Sequence, residues 1–122
     1  MKRVLIVDDS RLSRSYHTYI LTNAGFSVET ACEGAEALEK LMLEPFDAML
    51  TDINMRGMDG YELIRRVRAD ETLEPLPILI ISTEASEEDR GTGFAAGANF
   101  YLVKPADPQK VVESVRMMVE GQ

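Results

Sequence analysis

Tryptophan is absent from this chain, and cysteine and histidine occur once each, as Cys32 and His17. A lone cysteine excludes an internal disulfide, and beside one histidine it leaves no Cys/His set for a structural zinc. Positive charge is scarce as well: 13 Lys and Arg stand against 21 Asp and Glu, a net charge of −8. That balance argues against a nucleic-acid backbone binder, which needs a basic face. Long apolar runs are missing too. Val4-Leu5-Ile6-Val7 gives way at once to Asp8-Asp9, far short of a signal peptide or a membrane span. The expectation is a cytosolic, acidic chain forming one domain over residues 1–122, large enough to bury a core without staples. Its contacts would be proteins or small phosphorylated species.

What is present alternates between two periods. Apolar runs suited to buried strands occur at Val4–Val7, Phe26–Ala31, Phe46–Thr51, Ile78–Ile81 and Asn99–Val103. Between them lie stretches of helical spacing. The first, from Arg11 to Ala24, carries Leu12, Tyr16, Tyr19 and Ile20 and stops at Gly25, a residue that tolerates a left-handed cap. The second, Gly34 to Leu43, places Ala37, Leu38, Leu41 and Met42 on one face. A third opens at Asp59, a candidate cap, with Leu63, Ile64 and Val67 facing inward. Ser86 followed by Glu87, Glu88 and Asp89 reads as a fourth start, and Asp107 to Val119 as a final amphipathic helix. Five strand–helix units in series predict an α/β fold, a doubly wound five-stranded parallel sheet with helices on both faces.

In such sheets ligands bind beyond the carboxyl ends of the strands. Asp8 and Asp9 follow the first strand, Asp52 the third, Ser82 and Thr83 the fourth, and Lys104-Pro105 the fifth. Three carboxylates at one rim repel and call for a cation, and all-oxygen ligands suit Mg²⁺ or Mn²⁺. Magnesium with a lysine and a hydroxyl suits a phosphoryl group, and an aspartate there can be the nucleophile that becomes an aspartyl phosphate. Asp52 is the best candidate, because the adjacent Asp8 and Asp9 read as a metal cradle. Taken singly, each of these residues could merely end a strand or cap a helix.

Leu5-Ile6-Val7-Asp8-Asp9-Ser10, Thr51-Asp52-Ile53-Asn54-Met55, Met58-Asp59-Gly60 and Leu102-Val103-Lys104-Pro105 resemble the receiver domain of two-component response regulators. The likeness runs from about Lys2 to Val119 and leans toward the single-domain chemotaxis regulators of the CheY type. It implies the flavodoxin-like strand order 2-1-3-4-5 and Asp52 as phosphoacceptor from a histidine kinase. It also implies that Asp9, Asp52 and the Asn54 backbone carbonyl ligate Mg²⁺ while Asp8 acts mainly through metal-bound water. Lys104 would grip the phosphoryl group, before a cis bond to Pro105. Ser82 falls at the family's switch hydroxyl, with Thr83 one later as the alternative. Tyr101 matches the switch aromatic, and Asn54 and Glu84 match positions that tune phosphoryl lifetime. Arg56 is a departure, since receivers commonly carry proline there.

The resemblance implies a switch rather than a metabolic enzyme, one that catalyses its own phosphorylation and dephosphorylation. Its output surface would be the fourth helix, fifth strand and fifth helix, presented to a phosphorylation-dependent protein target. A monomer is expected, with dimerisation on phosphorylation left open. The rival readings are a phosphate sink or relay shuttle, a small aspartyl-phosphate phosphatase, and a degenerate receiver that only docks proteins. Gly91, Gly93 and Gly97 predict a weak, mobile fourth helix from Glu87 to Ala96, or else close packing on the sheet. His17 is expected to face solvent, Cys32 to sit near the core, and the acids around Glu84, Glu87, Glu88 and Asp89 to form a solvated face. Met42, Met49, Met55, Met58, Met117 and Met118 read as core fillers.

Overall fold

The computed structural model describes residues 1–120. Its elements alternate strictly: β1 (Arg3–Val7), α1 (Arg11–Asn23), β2 (Ser27–Ala31), α2 (Gly34–Leu43), β3 (Ala48–Thr51), α3 (Gly60–Ala69), β4 (Ile78–Ser82), α4 (Glu87–Ala96), β5 (Phe100–Val103) and α5 (Pro108–Glu120). The strands form one parallel sheet in the order β2-β1-β3-β4-β5, as expected. β1, β3 and β4 are central, and their side chains are buried almost without a break because helices cover both faces.

Alternation along the strands divides the core in two. Leu5, Val7, Met49, Ile78, Ile80 and Tyr101 project toward α2, α3 and α4, where they meet Ala37, Leu41, Leu63, Ile64, Val67 and Ala96. Val4, Ile6, Ala48, Leu50, Leu79 and Ile81 project the other way, onto Ile20 and Leu21 of α1 and Val111, Val115, Met118 and Val119 of α5. The caps follow the sequence: Asp59 accepts from the Glu62 N–H, Ser86 from the Asp89 N–H, and Gly25 takes φ +97° beyond α1. Ser10, unmarked in the sequence reading, caps α1 through the Ser13 N–H.

Several expectations are corrected. On α1 the buried residues are His17, Ile20 and Leu21, whereas Leu12, Tyr16 and Tyr19 are exposed. Of the residues grouped by spacing only Ile20 is inward, and it packs with Leu21 onto β1 and α5. His17 is buried with them, not solvated. Cys32 is exposed, because it follows the last residue of the edge strand β2. Met42 and Met117 lie on the outer faces of their helices and are exposed, while Met49 and Met118 are core and Met55 and Met58 pack against it. Of the α4 glycines, Gly97 ends the helix at φ +124° and Gly93 permits close packing, since a Cβ there would lie 2.7 Å from the Ile80 side chain. Only Gly91 faces open space.

Among the described residues, no helix is long and apolar enough to cross a membrane.

Candidate functional site

The strand order reverses beside β1, so a crevice opens above the carboxyl ends of β1 and β3. Register brings the residues after these strands to one rim. Val7 pairs with Thr51 and Ser82 with Val103, the Asp52 N–H donates to the Val7 carbonyl, and the Lys104 N–H donates to the Ser82 carbonyl. Gly60 seals the floor: its N–H bonds the Ile53 carbonyl, and a Cβ there would collide with the Asp52 backbone.

The centre of the site is an ion triad. Lys104 Nζ lies 2.8 Å from Asp8 Oδ2 and 2.8 Å from Asp52 Oδ2, and the side chains are 17%, 6% and 13% exposed respectively. At that burial the charges are little screened by solvent. Asp8 Oδ1 also accepts from the Ser10 N–H, and its Oδ2 from Ser13 Oγ. Asp52 Oδ1 accepts from the Ile53 N–H at 2.7 Å. Burial alone would raise the Asp8 carboxyl, but the Lys104 ammonium and the Ser13 and Ser10 hydrogen bonds outweigh it and hold it below its ordinary value. Burial would likewise lower Lys104, and the two carboxylates more than offset that and raise it. The Lys104–Pro105 bond is cis.

Asp9 is exposed at the rim beside this triad. Among the described residues no three His, Cys, Asp or Glu side chains close into a metal cage. Mg²⁺ does not require one, since it keeps several waters and takes one or two carboxylates plus phosphate oxygens. Two acceptor-only carboxylates already gathered around one cation, with a third on the solvent side, form a donor set of that kind.

The hydroxyl pair separates. Ser82 is the last residue of β4 and fully buried, while Thr83 is exposed. Ser82 Oγ accepts from the Glu84 N–H, and the Tyr101 hydroxyl donates to the Glu84 carbonyl at 2.8 Å. Asn54 Nδ2 reaches the Glu84 carboxylate at 2.9 Å. Glu84 is therefore a hub joining β3, β4 and β5 through both backbone and side chain. Tyr101 is buried with a protein-bound hydroxyl, not the wet one that a half-buried strand residue would have. Arg56 is exposed. Three side chains have partners that the sequence reading did not assign. Tyr61, on α3, donates to the Asp89 carbonyl and carboxylate of α4. Ser13 and His17 lie behind Asp8.

His17 carries a pH consequence. Burial is the main cause that holds its ring below the ordinary value of 6.5, with Lys104 adding to the effect and the Ser13 carbonyl, Asp8 and Asp52 opposing it. Below pH 6.5 the unfolded chain binds a proton that the folded ring refuses, so stability falls as pH falls, until the folded ring also protonates. One proton sets the ceiling of that slope at about 1.4 kcal/mol per pH unit. Urea unfolding at several pH values between 7 and 5 should show this slope in the wild type and its loss in His17→Leu. Equal slopes would place the acid sensitivity elsewhere.

A family model described as the response regulator receiver domain matches residues 4–116. The chain is similar to the chemotaxis protein CheY of Pseudomonas aeruginosa, with 39% identity over 119 residues, 97% of this chain and 96% of that protein. It is 41% identical over 102 residues to a gliding motility regulatory protein of Myxococcus xanthus, covering 84% of this chain but 13% of that much longer protein. Among solved structures, the receiver domain of a sensor histidine kinase from Pseudomonas aeruginosa PAO1, with magnesium coordinated in its active-site cleft, superposes with TM-score 0.91 at 26% identity over 98% of both chains.

Proposed function

The chain belongs to the response regulator receiver domain family, and from that membership we propose that it is a cytoplasmic switch phosphorylated on Asp52 by a histidine kinase. The observation that carries this reading is the Lys104 ammonium shared at 2.8 Å between Asp8 and Asp52. Asp52 attacks the phosphoryl group, forming an O–P bond as the P–N bond of the donor phosphohistidine breaks. Lys104 is within reach of a phosphoryl oxygen carried on Asp52 and offsets its charge in a site already shielded from water. Asp9, Asp52 and the Asn54 carbonyl would hold Mg²⁺, with Asp8 acting through bound water, and the ion would supply further positive charge. The reading makes the protein a signalling switch, with catalysis confined to its own acylphosphate.

The output follows from the Glu84 hub. Ser82 Oγ is held by the Glu84 N–H. Drawing that hydroxyl to a phosphoryl oxygen frees the N–H and shifts the segment that leads into α4. The Tyr101 hydroxyl, bound to the same residue, follows it. Phe94 on α4 is exposed beside Tyr101, with Arg90 over the Tyr101 ring, which supports α4 and β5, within the expected α4, β5 and α5 face, as the surface for a protein target. Asn54 and Glu84, joined across the mouth, would govern water entry and hence phosphoryl lifetime. The names of the relatives point to a taxis or motility circuit.

Intact mass spectrometry after incubation with Mg²⁺ and a small phosphodonor tests this. One phosphoryl adduct should form in the wild type and be absent in Asp52→Asn and in the presence of a chelator. An adduct that persists in Asp52→Asn would remove Asp52 from the acceptor role.

A further inference from the structure

Asp8 Oδ2 takes two hydrogen bonds, one from Lys104 Nζ at 2.8 Å and one from Ser13 Oγ at 2.5 Å. A carboxylate only accepts, so the single hydroxyl proton of Ser13 points at Asp8. Behind Ser13 lies His17, whose Nδ1 is 2.9 Å from the Ser13 carbonyl oxygen and 3.4 Å from Ser13 Oγ. The carbonyl also only accepts, so Nδ1 carries the ring proton and presents a donor to Ser13. The ring therefore offers the Ser13 hydroxyl no lone pair to turn toward, which leaves Asp8 as its acceptor. This arrangement has a cost. With Nδ1 protonated, Nε2 is a bare lone pair, and it is the one buried side-chain nitrogen or oxygen among the described residues that lacks a partner. The same helix face continues into the core with Ile20 and Leu21, so an aliphatic side chain at this position would avoid that orphaned atom.

We propose that Ser13 and His17 are a positioning pair for Asp8, with His17 aiming the Ser13 hydroxyl and the hydroxyl fixing the carboxylate that faces a divalent cation. The pair hydrogen-bonds to Asp8 and not to Asp52 or Lys104, so its hydrogen-bonded route to the cation site runs through Asp8. This inference rests on the receiver reading, in which Asp8 serves Mg²⁺.

The test is Mg²⁺ titration of the unphosphorylated protein by calorimetry, which needs no phosphoryl transfer. Partners that orient a metal-site carboxylate typically contribute about 10- to 100-fold in metal affinity. Ser13→Ala should weaken Mg²⁺ binding about tenfold, and Ser13→Thr, which keeps the hydroxyl, should restore it. His17→Leu should weaken it in the same direction, and His17→Asn, which keeps a donor near the Nδ1 position, should recover most of the loss. The double variant Ser13→Ala with His17→Leu should bind no worse than Ser13→Ala alone, because His17 acts only through the hydroxyl. Urea unfolding of each variant establishes that it is folded under the titration conditions. Mg²⁺ binding by Ser13→Ala within twofold of wild type, or additive losses in the double variant, would overturn the pair. A wild type that does not bind Mg²⁺ would instead overturn the metal reading, and the first titration reveals that failure before any variant is compared.

Discussion

Lys104→Met is expected to be about 3 kcal/mol less stable than the wild type in the absence of Mg²⁺, because it leaves two facing carboxylates buried without their cation. Asp8 and Asp52 are 6% and 13% exposed at the side chain, so water replaces little of what the ammonium supplied. The comparison belongs at neutral pH. The depressed Asp8 carboxyl contributes stability that is complete above its ordinary value of 3.8 and is lost as pH falls through its lower folded value. The raised Lys104 contributes stability that is complete below 10.5 and is lost as pH rises through its higher folded value. Both contributions are whole at pH 7, where urea unfolding of the two proteins should differ most cleanly. Saturating Mg²⁺ should raise the variant's own stability, since a ligand at 100 times its Kd adds about 2.7 kcal/mol to the folded state that binds it. The variant should nevertheless accept phosphoryl groups on the order of 100-fold more slowly, as with loss of one preorganised charge from a reacting centre. Unchanged stability without Mg²⁺ would mean that the carboxylates do not depend on Lys104, and the triad would lose its place as the organising feature of the site.

The triad was legible because its members sit at strand ends, and strand ends are marked twice: by the stop of an apolar run and by the polar residue that follows. Asp8, Asp52 and Lys104 each follow such a run, and parallel register aligns the stops. Helix faces are harder to read. On α1 the spacing groups Leu12, Tyr16 and Tyr19 with Ile20, but only Ile20 of these is buried, and its buried companions are Leu21 and a histidine that residue type alone assigns to solvent. Burial of an imidazole there depends on a backbone carbonyl one turn back, a contact with no signature in residue types. The Glu84 hub was hidden for the same reason, since two of its three links are made by main-chain atoms. Thr83 and Ser82, adjacent hydroxyls in sequence, part company because β4 extends one residue further than its apolar run.

Arg68 lies near the end of α3, and Arg68→Met is expected to remove about 3 kcal/mol of stability. All five guanidinium N–H groups are used. Nε and Nη2 donate to the Gly97 carbonyl, Nη1 to the carbonyls of Glu74 and Leu76, and Nη2 also to Asn99 Oδ1. Asn99 Oδ1 in turn accepts from the Ile78 N–H, so one side chain ties the entries of β4 and β5 to the end of α4. Burial is what lowers the Arg68 pKa, with Glu74 opposing it. Hydrogen bonds to a charged group are worth about 1.5–3 kcal/mol each, and they share enough geometry here that their sum overstates the loss. Methionine keeps much of the aliphatic stem, so the loss measures the bonds rather than the packing. Lysine retains the charge but not the planar fork, and Arg68→Lys should fall between the two. The clamp lies at the amino ends of β4 and β5, whereas the triad lies beyond the carboxyl ends of β1, β3 and β5. Where both proteins are fully folded, Arg68→Met should therefore bind Mg²⁺ and accept a phosphoryl group at the wild-type rate. Unfolding and phosphorylation measured side by side separate the two ends of the sheet: Lys104→Met loses both properties, Arg68→Met only the first. Wild-type stability in Arg68→Met would show that water satisfies those carbonyls as well as the guanidinium does.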